Sequence, residues 1–331
     1  MTTVEPRRVP AAMSHPVAIS PPRLPGSIRR TTHIDMLVGA GPLTLDGRAR
    51  DLVTSATGQQ VVGEATMLAG LDDQGRLASL DTTSWPPTDG DTASLRGLVV
   101  SGGFRAAVGR AFATDVEHGT PLAQLLDDLP VAALISGYAR LYEGAIPADQ
   151  AQQSMKSDIC SGWRAEGTMM TSVQAGRGVP VTRGPRAPSI SDDAAVDLLG
   201  WHDIGSLPIG AMRRRRLVDV TVGDERWQVA AMFRDTHVDP DGDETVLHEY
   251  SLTATIDAVT QTFVACAAVP RVLPWVECPV AAASADRLVG HRVTSVRELV
   301  RSSLRGTSTC THLNDLLRSL GDVATLAQHV T

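Results

Sequence analysis

The chain has 331 residues, 43% hydrophobic content and a formal net charge of -7, so it can bury a sizeable core, and its acidic balance argues against nucleic acid or an anionic membrane as partner. No apolar run approaches the roughly 18 to 20 residues that cross a bilayer, and no compact apolar leader opens the sequence, so a cytoplasmic setting is expected. The four cysteines, Cys160, Cys266, Cys278 and Cys310, lack CxxC spacing, which excludes a zinc ribbon and a disulfide framework and predicts reduced thiols.

Basic charge is carried by arginine, with Lys156 the only lysine. No P-loop or Schiff-base motif surrounds it, and no GxGxxG occurs, so neither a nucleotide nor another cofactor is expected. Residues 1–26 hold Pro6, Pro10, Pro16, Pro21, Pro22 and Pro25 with little periodicity and predict a disordered arm. A single α+β domain is expected over 27–331, with a long exposed loop around 171–194, where Gly, Pro, Arg and Ser accumulate.

Within that domain, Ile28 to Met36 and Leu43 to Leu52 read as strands, and Val61 to Leu71 and Arg76 to Leu80 as a hairpin about Asp72-Asp73-Gln74-Gly75. Helical spacing follows at Phe104, Ala107, Val108, Ala111 and Phe112. A second helix opens with Thr120 as cap and Pro121 at its first position, and Pro130 is expected to restart a third segment.

Leu217 to Val222, Arg226 to Arg234, Val246 to Asp257 and Thr262 to Val269 alternate with period two, which predicts a four-stranded antiparallel meander. On the third of these strands Val246, His248, Tyr250, Leu252, Ala254 and Ile256 would share the apolar face, turning His248 inward. The preceding run Arg213 to Arg216 reads as a charged strand beginning. Ser295-Val296-Arg297-Glu298 has the form of a capping box. Strands followed by helices without βαβ alternation give an α+β fold, an antiparallel meander or curved sheet packed against helices.

Several residues could carry chemistry. Gly306 to Thr311 delivers Cys310 and His312 to the first turn of an amphipathic helix capped by Thr309 or Thr311, where the dipole favours a thiolate and a neutral imidazole. The alternative is a buried thiol and a polar residue that seat the helix. His237 and Asp239 form either an acid/base pair or part of a solvated turn before Pro240-Asp241-Gly242. Asp158 and Cys160 share one short turn with Trp163. The inward His248 is either a satisfied core histidine or a catalytic group.

The opening Arg29-Arg30-Thr31-Thr32-His33, the strand Leu45-Asp46-Gly47-Arg48-Ala49-Arg50-Asp51 and above all Cys310-Thr311-His312-Leu313 resemble the bacterial family known as domain of unknown function 2889. That resemblance implies no activity. The residues themselves suggest a cofactor-independent enzyme on a small apolar metabolite, a hydratase or dehydratase drawing on His248, His237, Asp239, Asp158, Cys160, Cys310 and His312, with no metal; a terpene-like alcohol or alkene would suit. A Cys-His hydrolase, and a zinc- or ligand-binding module without catalysis, are the alternatives. The partner expected is a small-molecule substrate, and a homo-oligomer is compatible with the sequence.

Overall fold

The computed structural model describes residues 8–38, 41–142, 156–190 and 197–330. Its strands are β1 (Arg8–Pro10), β2 (Met13–Ser14), β3 (Ser27–Leu37), β4 (Leu43–Thr54), β5 (Gln59–Leu71), β6 (Leu77–Trp85), β7 (Val181–Arg183), β8 (Met212–Val222), β9 (Arg226–Val238), β10 (Glu244–Asp257) and β11 (Thr262–Leu273). Its α-helices are α1 (Phe104–Ala111), α2 (Ala113–His118), α3 (Pro121–Ile135), α4 (Gly137–Tyr142), α5 (Thr168–Gln174), α6 (Val296–Ser303), α7 (Thr311–Ser319) and α8 (Val323–Ala327). Nine strands form one antiparallel sheet in the order β2-β11-β10-β9-β8-β3-β4-β5-β6. The fold is therefore α+β, and the expected meander is β8 to β11. Among the described residues, no helix is long and apolar enough to cross a membrane.

Period-two alternation gives each strand two faces. On one face, Val218, Val220, Val229, Phe233, Tyr250 and Leu252 pack under α6, α7 and α8. Beside them, Ile34, Met36, Leu45, Ala65 and Met67 pack under α1 and α3. The other face is covered over its central strands by extended chain and is exposed on β5 and β6. Residues 8–26, expected to be a disordered arm, dock on the sheet: β1 pairs in parallel with β7 beside α4, β2 is the edge strand next to β11, and from Val17, whose amide donates to Glu249 Oε1, the chain lies along that face. Proline-rich chain lacks periodicity yet needs only backbone groups to dock on a polar surface. Residues 1–7 of that arm lie outside the described residues, as do 191–194 of the expected loop at 171–194. The remainder of that loop holds the end of α5 and all of β7.

Two further expectations change. Pro130 does not restart a helix, because α3 runs through it to Ile135. Ser295 adopts helical backbone angles and makes no cap, and Glu298 instead pairs with Arg301.

The sheet centre is built on buried arginines. Arg30 grips Asp51 at 2.7 and 2.6 Å, Arg29 grips Asp219 at 2.6 Å through both nitrogens, and Arg213 and Arg214 hold Asp35 and Asp235 in the same two-pronged way. Arg234 donates to Glu249. Each of these pairs joins residues directly opposite on neighbouring strands. Arg213 to Arg216 is the expected charged strand beginning, at the start of β8, and all four are buried and alternate between the faces. Arg216 reaches α3 and α7 through Asp128 Oδ1 at 2.6 Å and the Asp315 carbonyl at 2.7 Å. Arg29, Arg213 and Arg234 donate their remaining N–H groups to the carbonyls of Gly200, Pro21, Gly205, Pro188 and Val17 in the extended cover.

On that covered face His33 Nδ1 meets His202 Nε2 at 2.6 Å, and Thr31 Oγ1 meets His202 Nδ1 at 2.8 Å. Burial first, then the nearby Arg213, Arg215 and Arg48, lowers the His33 pKa to about 3. Burial, with His33, Arg50, Arg48 and Arg215, lowers that of His202 to about 2.

This packing has consequences for stability. Below about pH 6.5 the unfolded chain binds protons that folded His33 and His202 refuse, so stability is complete above that pH and declines as pH falls toward the folded values, by at most about 1.4 kcal/mol per pH unit for each histidine. Urea midpoints should therefore drop steeply between neutral and mildly acid buffer, and less steeply in His202→Gln. Arg216→Met strands the Asp128 carboxyl, whose pKa burial already raises. It should cost about 3–5 kcal/mol, and the double variant with Asp128→Leu markedly less. Urea unfolding of both variants measures this.

Candidate functional site

A cavity of about 260 Å³ opens where the end of α3, α4, α5 and the first turn of α7 meet β7 to β10. Its walls are mostly apolar, with Leu134, Ile135, Leu141, Ile159, Trp163, Met169, Val179, Met212, Leu247 and Trp275 among them. Its polar corner holds Asp235, His248 and His312, one coordinating atom of each lying within 4.8 Å of the others.

Three local features build that corner. Along β9, Trp227, Val229, Ala231 and Phe233 alternate toward the helices, and Asp235 takes the next inward place. On β10 the register shifts between Val246 and His248, so that Val246 opposes Thr236 and His248 opposes Asp235. This bulge corrects the expectation that Val246 and His248 share a face: the inward alternation begins at His248, and Leu247 joins the cavity wall. His312 sits in the first turn of α7, whose cap position is Cys310 rather than Thr309 or Thr311, with no side-chain cap.

The two imidazoles stack with centroids 3.9 Å apart and planes 13° from parallel. His312 Nε2 lies 3.9 Å from Asp235 Oδ2, too far for a hydrogen bond, and has no hydrogen-bond partner among the described residues. Its Nδ1 side faces Thr311 Oγ1 at 3.4 Å and Cys310 Sγ at 4.0 Å. Burial, aided by Arg214, lowers the His312 pKa to about 3. Burial, with His312 and Arg214 adding and Asp235 opposing, takes His248 well below the usual range. Both imidazoles are neutral at pH 7, as a position at a helix start leads one to expect for His312. Asp235 is held against Arg214, whose Nη1 also binds Asp315 Oδ2 at 2.9 Å.

Of the seven acid/base candidates singled out in the sequence, His248 and His312 line the cavity and the other five do not; Trp163 forms part of its wall. Cys310 is buried, and burial pushes its thiol up to about 12, the reverse of the thiolate expected from the helix dipole. Burial likewise raises Cys160. Asp158 is exposed with a left-handed φ of 62° and accepts from the Ala165 amide, a turn contact. Asp239 binds Arg183 at 2.8 Å and accepts the amides of Asp241 and Asp243, so it braces the turn and is not spare for His237. His237 is buried against Tyr138 and Tyr142, with burial lowering its pKa to about 4. Neither it nor Asp239 lines the cavity.

Asp235 is the residue of the cavity corner that the sequence reading does not single out. The sequence predicts a strand ending at Arg234, one residue before Asp235, whereas β9 continues to Val238. The available signal was the inward alternation itself: a carboxylate continuing the series 227, 229, 231, 233 must be buried and partnered.

No curated protein matches the sequence. A crystal structure of a lipopolysaccharide binding protein aligns over 88% of this chain and 79% of its own at 11% identity, with a TM-score of 0.14, a value that carries no argument about fold. The segment that supplies all three polar groups of the cavity corner, residues 212–326, matches the family model described as a protein of unknown function, DUF2889, the family that the sequence resembles.

Proposed function

We propose that this chain is an enzyme acting on a small, largely apolar molecule, and that it adds or removes water at the Asp235–His248–His312 corner. The observation that carries this reading is a polar cluster at one end of a largely apolar cavity. At about 260 Å³ the cavity exceeds the roughly 150 Å³ that accommodates a benzene-sized guest, so a terpene-like alcohol or alkene suits its walls. The neutral imidazoles present lone pairs at pH 7, the form needed to activate water. In hydration, water gives its hydroxyl to one carbon and its proton, by way of the corner, to the neighbouring carbon; elimination runs the same exchange backward. The Asp235 carboxylate favours the positive charge that develops beside it.

A Cys-His hydrolase is disfavoured physically, because a buried thiol with a pKa near 12 supplies almost no thiolate at neutral pH. The test is transfer of label from oxygen-18 water to alkenes, and from labelled tertiary or allylic alcohols to water. His248→Ala and His312→Ala should each lower the rate by about 10²-fold or more. Cys310→Ser and Asp158→Asn should stay within a few-fold of the parent. Undiminished transfer in both histidine variants would remove the corner from the chemistry.

A further inference from the structure

We propose that Asp235, His248 and His312 hold a divalent first-row transition metal ion that faces the apolar cavity. The proposal rests on the preceding reading only in placing the chemistry at this corner. Two imidazoles and one carboxylate converge with their coordinating atoms within 4.8 Å of one another. Such a set, with further positions open, suits iron(II), zinc or cobalt(II) and does not suit magnesium or calcium, which take oxygen ligands.

The individual contacts agree. His312 Nε2 is buried, lacks a hydrogen-bond partner among the described residues and stands 3.9 Å from Asp235 Oδ2. That spacing is too long for a direct hydrogen bond and is closed by small shifts when both atoms bind one ion at about 2.0–2.2 Å. His248 and His312 stack nearly in parallel, 3.9 Å between centroids, and because each imidazole lone pair lies in its ring plane, the rings must tilt apart for both nitrogens to reach one ion, a rotation that the open cavity beside them leaves room for.

The outer contacts have the form that metal ligands require. Arg214 binds both oxygens of Asp235 at 2.8 and 3.0 Å, which fixes the plane of the carboxylate while each oxygen keeps a lone pair. Asp315 holds Arg214 in turn at 2.9 Å. Groups that orient ligands in this way tune affinity by about 10- to 100-fold. The three ligands would leave further positions open at the largely apolar cavity, so that water bound to the ion would meet an apolar substrate. The ion would lower the pKa of that water, and so supply hydroxide without an ionised side chain.

The test is a titration of chelator-treated, dialysed full-length protein with cobalt(II), read by its visible d–d absorption and by equilibrium dialysis. The expected result is one equivalent bound, displaced by zinc, with affinity lowered at least about 100-fold in His248→Ala and in His312→Ala while their urea midpoints stay close to the parent's. Asp235→Asn should weaken binding as well, but it unbalances Arg214, so the two histidine variants decide. The proposal is overturned if the folded parent binds no stoichiometric cobalt or zinc, or if the His248→Ala/His312→Ala double variant binds as the parent does. Cobalt binding without any label transfer would support the metal site and count against the hydration reading. Label transfer by metal-free protein would overturn the metal proposal as a part of that chemistry and leave the acid-base corner standing.

Discussion

The structure depends on arginine–carboxylate pairs that sit directly opposite one another across the central strands: Asp51 with Arg30, Arg29 with Asp219, Asp35 with Arg213, Arg214 with Asp235, and Arg234 with Glu249. Taking such charges out of water costs several kcal/mol per ion, and mutual attraction offsets that cost only when the geometry is good and the remaining N–H groups are satisfied. Here both conditions hold for Arg29, Arg30 and Arg214, whose spare nitrogens find carbonyls or a second carboxylate. What the pairs supply is register. A slip of one residue would set each guanidinium against the wrong neighbour and turn every side chain of that strand to the other face, a far larger penalty than the same slip in an all-apolar sheet.

The pairs also explain how one sheet is covered so differently on its two sides. Toward the helices, Arg30, Arg214 and Arg216 bind Asp322, Asp315 and Asp128, so helix positions are keyed to individual strand residues. Toward the other side, guanidinium groups donate to backbone carbonyls. Irregular chain without an apolar stripe can therefore lie there, since its polar groups are met. The cavity corner inherits this order. Asp235 belongs to an in-register pair, its partner Arg214 is held by Asp315, and Asp315 lies on the helix that carries His312. The placement of His312 beside Asp235 is thus a consequence of the same contacts that align β8 with β9.

How much of this the sequence displays follows from the kind of signal each element leaves. The meander is legible because Val218, Val229, Leu252 and their neighbours alternate, and period two is the repeat of a half-buried strand, not of a helix. His248 is legible as inward on the same ground, although the bulge at Leu247 that sets its exact partner leaves no mark in composition. The arm at residues 8–26 is not legible, because it docks through the Val17 amide and carbonyl and the Pro21 carbonyl, groups that carry no side-chain signature. The run Arg213 to Arg216 is legible as the start of a strand, but its burial is not. A charged run is ordinarily solvated, and only the distant Asp35, Asp128, Asp235 and Asp315 make its burial tolerable. Convergence of Asp235, His248 and His312 spans the turn after β9 and the whole of β11, and no local spacing encodes it.

The first turn of α7 shows how magnitudes assign roles within one motif. A helix dipole favours a nearby anion by about 0.3–1 kcal/mol, less than one pKa unit at about 1.36 kcal/mol each. Burial of Cys310 pushes its thiol up from 9.0 to about 12, so desolvation wins over the dipole and the thiol stays protonated. For His312 the two influences act in the same direction, because a positive helix end and an apolar surround both disfavour imidazolium. The Arg214 charge reinforces it. Two residues apart on one turn, the thiol turns into the core against Tyr250 and Cys278, whereas the imidazole turns to the cavity with a free lone pair. The residue with the more familiar nucleophile is buried in the core, and the neutral histidine beside it is the one that faces the cavity.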